Sequence, residues 1–148
     1  MNRSAKISLL TGLFLILGLS GCSNSTSSEQ DTRYFEFRHE NDAIDYTMVA
    51  ATSDPDVIAK LEQELQKPFG DRNRHINGDI ARGNKAYNGQ WSWYFIPNEW
   101  DLVEASVEVC DGRPGMVEEN IDYWVDQVGY FCPWSSRVVR EVTPTIGG

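Results

Sequence analysis

Few side chains in this 148-residue sequence could serve nucleophilic catalysis. Such catalysis needs a serine, cysteine or threonine beside a base that a third group orients. Ser135 and Ser136 are candidates for the nucleophile, and only two histidines, His39 and His75, could act as the base. Asp79 could orient His75, although an ordinary strand or surface histidine is the simpler interpretation. We therefore predict no catalytic residue and expect that the protein is not an enzyme.

Aromatic and amide side chains form the better candidate for a functional site. In a predicted strand over residues 91–96, aromatic rings lie on both faces. Trp91 and Trp93 are on one face, and Tyr94 is on the other. Two interpretations remain open: the rings form a platform for a peptide, a partner protein or a sugar, or they fill the core. The first expects Tyr87 and Trp100 to be exposed. The candidate binding residues are Tyr87, Asn88, Trp91, Trp93 and Trp100.

Three carboxylates, Glu118, Asp122 and Asp126, recur at the spacing of one helix face. They could hold Ca²⁺, but the sequence contains no loop of the calcium-binding type Asp-x-Asp-x-Asp-Gly. A solvated face opposite an apolar stripe explains the same spacing. We therefore predict no metal ligand and no cofactor, and keep calcium binding as an alternative.

The elements that position these residues are predicted from hydrophobic periodicity. The clearest is a strand over residues 100–110, in which apolar side chains alternate with Glu104, Ser106 and Glu108. Other strands are predicted at 34–38, 44–52, 75–81, 91–96 and 137–142. Helices are predicted at 55–67, capped by Asp54, and at 116–128, followed by Gly129. The pattern indicates an α+β fold: an antiparallel β-sheet with two helices packed on one face.

The first 21 residues have the pattern of an export signal. Arg3 and Lys6 precede an apolar run that is too short for a spanning helix, which needs roughly 20 residues. The run ends in Leu-Ser-Gly before Cys22, which resembles the lipobox of bacterial lipoproteins. This resemblance implies that Cys22 is lipidated, with palmitate among the acyl chains, and anchors the protein in a membrane. Ser23 then favours the outer membrane of a Gram-negative bacterium, on its periplasmic or outer side.

With Cys22 used by the lipid, Cys110 and Cys132 remain as a possible pair among the three cysteines. Export places them in an oxidising compartment, where disulfides form and persist. A metal site would need more ligands, and a catalytic redox pair usually has the spacing Cys-x-x-Cys. We therefore predict a structural disulfide between Cys110 and Cys132.

Composition sets the domain organisation and excludes one class of partner. The formal net charge of −9 argues against nucleic-acid binding, which requires a basic surface. The polar stretch after Cys22 indicates a flexible tether. We predict a signal peptide at residues 1–21, the lipidated cysteine and tether at 22–32, one α+β domain at 33–142 and a loose tail at 143–148.

Three segments carry a family resemblance: Glu-Val-Cys-Asp at 108–111, Cys-Pro-Trp-Ser-Ser-Arg-Val-Val-Arg-Glu-Val at 132–142, and Ala-Tyr-Asn-x-x-Trp-Ser at 86–92. They resemble small secreted domains named as the N-terminal domain of a type of calmodulin-binding protein. The resemblance covers most of residues 34–142 and implies an exported domain. Calmodulin itself is not the expected partner, because calmodulin targets are basic amphipathic helices and neither predicted helix is basic.

These observations favour a membrane-anchored, exported lipoprotein that acts as a non-catalytic binding module for a protein or peptide partner. The alternatives are an inhibitor of exported proteases, with residues 70–77 or 84–90 as its exposed loop, and a glycan- or Ca²⁺-binding domain. A hydrolase is the remaining class, for which the sequence offers no convincing set of residues.

Overall fold

The computed structural model describes residues 31–39 and 47–144, and these residues form six strands in two antiparallel sheets. One sheet has the order β2-β1-β6 and the other has the order β4-β3-β5. The strands are β1 Arg33–His39, β2 Thr47–Thr52, β3 His75–Arg82, β4 Trp93–Val103, β5 Tyr130–Phe131 and β6 Ser136–Val142. The α-helices are α1 Pro55–Leu65 and α2 Pro114–Glu119. A π-helical segment, Asp122–Val128, and the 3₁₀ turns Phe69–Asp71, Ala86–Asn88 and Glu108–Cys110 complete the described elements.

The predicted α+β fold with two helices on one face of a single sheet is wrong, because the fold is mostly β. Its strands are divided between two sheets, and aromatic side chains from both fill a common core. Phe37 of β1 meets Trp100 of β4 edge to face, with ring centroids 5.8 Å apart. The helices do not share one face: α1 packs against β4 and β6, and the π-helical segment against β3 and β5.

Strand β4 joins what the sequence predicts as two separate strands. The predicted strands 91–96 and 100–110 are separated at Pro97-Asn98, but β4 continues through these two residues in an irregular bulge. Gly78 of β3 pairs with Trp100, whereas Ile80 pairs with Phe95, so four residues of β4 lie opposite one residue of β3. Proline has no N–H for the ladder, and asparagine tolerates the left-handed φ of +66° that Asn98 adopts. The turn residues therefore bend the strand instead of ending it.

The predicted strand over residues 100–110 is correct only as far as Val103. His75, the first residue of β3, pairs with Val103, so later residues have no strand beside them. They form an exposed segment that ends in the 3₁₀ turn Glu108–Cys110. The side chains of Val107 and Val109 are 65% and 66% exposed. The alternation of valine and glutamate is thus not the signature of a half-buried strand.

The predicted cap of the first helix is confirmed, and the predicted second helix is corrected. Asp54 caps α1, because its carboxylate accepts hydrogen bonds from the N–H groups of Asp56 and Val57. The predicted helix over 116–128 is instead divided into α2 and the π-helical segment. Gly129 follows in the left-handed conformation with φ +71°, as predicted for the residue after a helix.

The predicted disulfide between Cys110 and Cys132 is confirmed, with 5.1 Å between the two Cα atoms. The N–H of Cys132 also donates to the carbonyl of Cys110 at 2.8 Å. The bond fixes the end of the exposed segment 104–110 beside the turn that leads into β6. Cys22, the predicted signal and the predicted tether as far as residue 30 lie outside the described residues.

Gly78 is a position where the fold tolerates no side chain. A Cβ atom there would overlap Cα and Cβ of Trp100 and would lie 2.5 Å from the carbonyl oxygen of Glu99. We expect Gly78→Ala to lower the free energy of unfolding by about 2 kcal/mol, because the backbone of the bulge must move. Gly70→Ala is the matched control, since its Cβ would meet nothing within 4 Å. Equal urea midpoints for the two variants would contradict the close approach of Gly78 in β3 to the bulge of β4.

Candidate functional site

The predicted aromatic site lies mainly in the core. Trp93 and Trp100 have exposed fractions of 0% and 4%, and Trp91 is buried as well. Trp93 contacts Phe95 and Phe131 edge to face, with ring centroids 5.8 and 5.4 Å apart. The expectation that Trp100 is exposed is wrong, because its ring is enclosed between the two sheets. Of the two interpretations of the cluster, core packing describes these three tryptophans.

Several of these side chains also hydrogen-bond to the outer edge of β2. The indole N–H of Trp91 donates to the carbonyl of Thr47 at 2.8 Å, and that of Trp100 donates to the carbonyl of Ala51 at 2.9 Å. Between them, the side chain of Asn88 accepts from the N–H of Val49 at 2.8 Å. Side chains thus occupy part of the edge that another strand would otherwise use. The segment 86–92 therefore has a structural role at the junction of the sheets.

Tyr87 and Asn88 border a surface cavity of about 180 Å³ beside β2. Asn88 is buried, and its amide also donates to the carbonyl of Trp93 at 3.1 Å. The Tyr87 hydroxyl is buried without a hydrogen-bond partner among the described residues. Burial raises the pKa of Tyr87 to about 12, with smaller contributions from Tyr34 and Tyr94. The oxygen and the nitrogen of the Asn88 amide are thus both used within the fold, so Asn88 has a structural role.

A second cavity, also of about 180 Å³, brings together side chains that are far apart in sequence. We call it the Trp134 cavity. It lies where the start of β3, the segment after β4 and the turn before β6 meet. Its lining residues are Asn73, His75, Glu104, Ala105, Ser106, Trp134 and Arg137.

The polar wall of the Trp134 cavity is formed by a histidine and a serine. Nε2 of the buried His75 lies 2.7 Å from Oγ of Ser106. The side-chain amide of Asn77 donates to the same Oγ, also at 2.7 Å. His75 has no carboxylate among its hydrogen-bond partners in the described residues, so the triad of a serine hydrolase is incomplete. Asp79, the predicted partner of His75, lies elsewhere on β3 opposite Tyr130.

His75 should make stability depend on pH. Burial lowers its pKa, the positive charge of Arg137 lowers it further, and Asp111 acts in the opposite direction. The unfolded chain then binds a proton more readily than the folded protein, so the free energy of unfolding falls as pH drops below about 6.5. We expect His75→Gln to flatten this dependence in urea unfolding between about pH 7 and about pH 5. Parallel pH profiles for variant and wild type would contradict the assignment.

Trp134 supplies the apolar wall of the cavity, and its side chain is 39% exposed. A tight turn presents it, because the N–H of Ser136 donates to the carbonyl of Pro133 at 2.9 Å. The N–H of Trp134 donates to the carboxylate of Asp111, also at 2.9 Å. The disulfide Cys110–Cys132 lies next to both ends of this contact. The tryptophan is therefore held at the surface by a braced loop.

Arg137 is directed toward main-chain carbonyls. Its Nε donates to the carbonyl of Arg72 at 2.7 Å, and its Nη1 donates to those of Trp134 at 2.6 Å and Ser136 at 2.8 Å. Arg72 in turn donates to the carbonyl oxygens of Val138 and Val139 on β6. The two arginines thus join the approach to β3 with the edge of β6, and they hold one side of the cavity.

The remaining predicted residues serve other contacts. The Ser136 hydroxyl is buried and donates to the carbonyl of Pro133 at 2.8 Å, a contact within the turn before β6. Asp122 and Asp126 both accept hydrogen bonds from Arg82, and Glu118 accepts from Ser92. In residues 31–39 and 47–144, no group of three or more potential ligands is arranged to hold a metal ion. The same residues contain no helix of sufficient length and hydrophobicity to cross a membrane.

Sequence reasoning missed Trp134, Ser106 and Arg137 as site residues. The signal for Trp134 was present, since a tryptophan between Pro133 and two serines, next to a disulfide, is typical of an exposed turn. Ser106 was predicted to lie in a strand, so it was not considered as a residue that could line a site. Three separate segments form the cavity, so no spacing within one segment could reveal it.

Comparison with known families agrees with the resemblance of the three segments. The family model described as the BP-74 N-terminal domain matches residues 31–145. No curated protein and no solved structure matches the chain. The match covers most of the 148 residues and includes both cysteines of the disulfide, the segment 86–92 and the Trp134 cavity. The chain therefore belongs to the BP-74 N-terminal domain family.

Proposed function

We propose that this protein is an exported, lipid-anchored and non-catalytic binding module, and that it binds a protein or peptide partner at the Trp134 cavity. The observation that carries the proposal is the exposed Trp134, fixed on a disulfide-braced loop beside a cavity with a polar wall. Tryptophan is enriched among the residues that dominate binding energy at protein interfaces. A braced loop loses little conformational entropy when a partner binds, which favours affinity.

The size of the cavity supports a macromolecular partner. Pockets for drug-sized ligands have volumes of about 300–1,000 Å³, whereas the Trp134 cavity has about 180 Å³. That volume suits one side chain of a larger partner. The exposed Val107 and Val109 extend the apolar surface along the same segment. A partner could therefore insert one residue and cover the surrounding loop.

A comparison of two exposed aromatic side chains tests the site. Trp134 and Tyr123 have nearly equal exposure, 39% and 38%, but only Trp134 lines the cavity. The full-length protein, purified in detergent, should select a subset of peptides on a random-peptide array. We expect Trp134→Ala to abolish that selection and Tyr123→Ala to leave it unchanged. Selection that survives Trp134→Ala, or is lost equally in both variants, would contradict the proposed site.

The lipid anchor requires its own experiment. In a Gram-negative host, metabolic labelling with an alkyne-bearing palmitate should mark the wild type in the outer-membrane fraction. Cys22→Ser should remove both the label and the membrane association. Wild-type protein recovered as an unprocessed, unlabelled precursor in the cytosol would overturn export and anchoring together.

The contact of 2.7 Å between His75 and Ser106 favours one second candidate, a serine hydrolase. A fluorophosphonate probe separates the two functions because it reacts with activated serines. A non-catalytic module should show no labelling above that of Ser106→Ala. Labelling that Ser106→Ala removes would replace the binding proposal with an enzymatic one.

A further inference from the structure

We propose that the Trp134 cavity receives a basic side chain, arginine or lysine, of the protein partner; this inference rests on the proposed function. Three observations lead to it: the aromatic wall, the carboxylate at the rim and the existing contacts of the cavity's own arginine. Each concerns a different lining residue.

The aromatic wall offers a face to a cation. Trp134 lines the cavity and is exposed, and indole is the aromatic side chain that attracts cations most strongly. The attraction acts on cations within about 6 Å of the ring centroid and is stronger where water is excluded. An arginine can additionally lie flat against the ring and keep its outer N–H groups available.

The carboxylate at the rim has capacity for another cation. Glu104 lines the cavity, and its side chain is 65% exposed. Its ion pair with Arg74 is long, with 3.7 Å between Nε and the carboxylate oxygen. The hydroxyl of Ser106, on the same segment, adds an oxygen at the cavity wall. A guanidinium or ammonium group placed between Trp134 and Glu104 would meet both.

The N–H groups of the cavity's own arginine are largely used by the protein, which leaves few donors for an anionic occupant. Arg137 keeps its positive charge, so a basic occupant must lie on the side of the cavity formed by Trp134 and Glu104. Nε and Nη1 of Arg137 already donate to three main-chain carbonyls. His75, the other lining side chain that can carry a positive charge, is buried against Ser106. The formal charge of −9 for the whole chain adds long-range attraction for a basic partner and repulsion for an acidic one.

Matched peptides test the charge of the occupant. The probe is a fluorescein-labelled pentapeptide, Leu-Gly-Arg-Gly-Leu with blocked ends, and its control carries citrulline, which has nearly the same shape without the charge. In anisotropy titrations with the full-length protein, we expect a Kd below about 1 mM for the arginine peptide. We expect about tenfold weaker binding of the citrulline peptide, consistent with the loss of one cation–π contact and one ion pair.

Matched variants test the site. Glu104→Gln should weaken binding of the arginine peptide, whereas Glu119→Gln, which makes the same change of net charge on α2, should not. Equal affinity for both peptides, together with loss of binding in Trp134→Ala, would overturn the basic occupant and leave the proposed site standing. Binding that is unaffected by Trp134→Ala would overturn the proposed site itself. An arginine peptide that does not bind at millimolar concentration would also overturn the inference.

Discussion

Replacing Trp100 by alanine is expected to lower the free energy of unfolding by about 4 kcal/mol, within the range for large aromatic residues in cores. Its ring is enclosed between the two sheets and contacts Phe37. Its indole N–H also donates to the carbonyl of Ala51, so the substitution removes a hydrogen bond from the edge of β2 as well. Urea unfolding of the full-length protein, followed by circular dichroism, measures the difference.

Tyr123→Ala is the control for Trp100→Ala, because Tyr123 is exposed and lies in the π-helical segment. Exposed substitutions of this kind usually change stability by less than about 0.5 kcal/mol. A Trp100→Ala variant that is as stable as Tyr123→Ala would show that Trp100 is outside the core. It would also return the aromatic cluster to consideration as a binding platform.

Loss of the disulfide is expected to cost about 3 kcal/mol. The bond joins Cys110 and Cys132 across 22 residues, and the chain-entropy treatment of unfolded-state loops gives a value of this size. The double variant Cys110→Ala/Cys132→Ala should therefore unfold at lower urea concentration than the wild type. It should also lose the bracing of the segment 104–110 and of the turn that presents Trp134.

Reduction provides the control for the disulfide variant. Dithiothreitol should shift the unfolding midpoint of the wild type toward that of the double variant and should leave the double variant unchanged. A wild type that is insensitive to dithiothreitol would contradict a stabilising bond. Two titratable thiols at Cys110 and Cys132 in the denatured, unreduced protein would show that the bond does not form.

Local signals in the sequence predicted the elements whose pattern depends on nearby residues. The strand at 34–38 and the strand at 137–142 are present as β1 and β6, and Asp54 caps α1 as expected. The disulfide was predicted from the number of cysteines and from the predicted export signal. In each case, the deciding interaction is a cap, a period-2 pattern or a covalent pair, which sequence reasoning can identify directly.

Signals that depend on distant partners misled the prediction. The alternation through Val107 and Val109 resembles a strand, but β3 begins at His75 and leaves those residues unpaired. Trp93 and Phe95 lie on the face of β4 that packs into the core, whereas Tyr94 on the opposite face is half-buried and contacts the ammonium group of Lys85. Periodicity alone does not indicate the second sheet that completes this core. Hydrophobic patterning indicates that one face of a strand or helix is buried, but it does not identify the element that covers that face.

The candidate site was out of reach for a similar reason. His75, Ser106 and Trp134 belong to three segments that are brought together by the ladder of β3 with β4 and by the disulfide. Each residue alone is ordinary in type and position. Only their position around one cavity makes them a candidate site.

Acrylamide quenching of tryptophan fluorescence tests the central claim, that the tryptophans of the aromatic cluster lie in the core and that Trp134 is exposed and available for the proposed binding. Of the five tryptophans, Trp91, Trp93, Trp100 and Trp124 are buried, and only Trp134 is substantially exposed. The folded protein should show one readily quenched tryptophan, and Trp134→Phe should remove that component. Several accessible tryptophans, or quenching that persists unchanged in Trp134→Phe, would contradict the account.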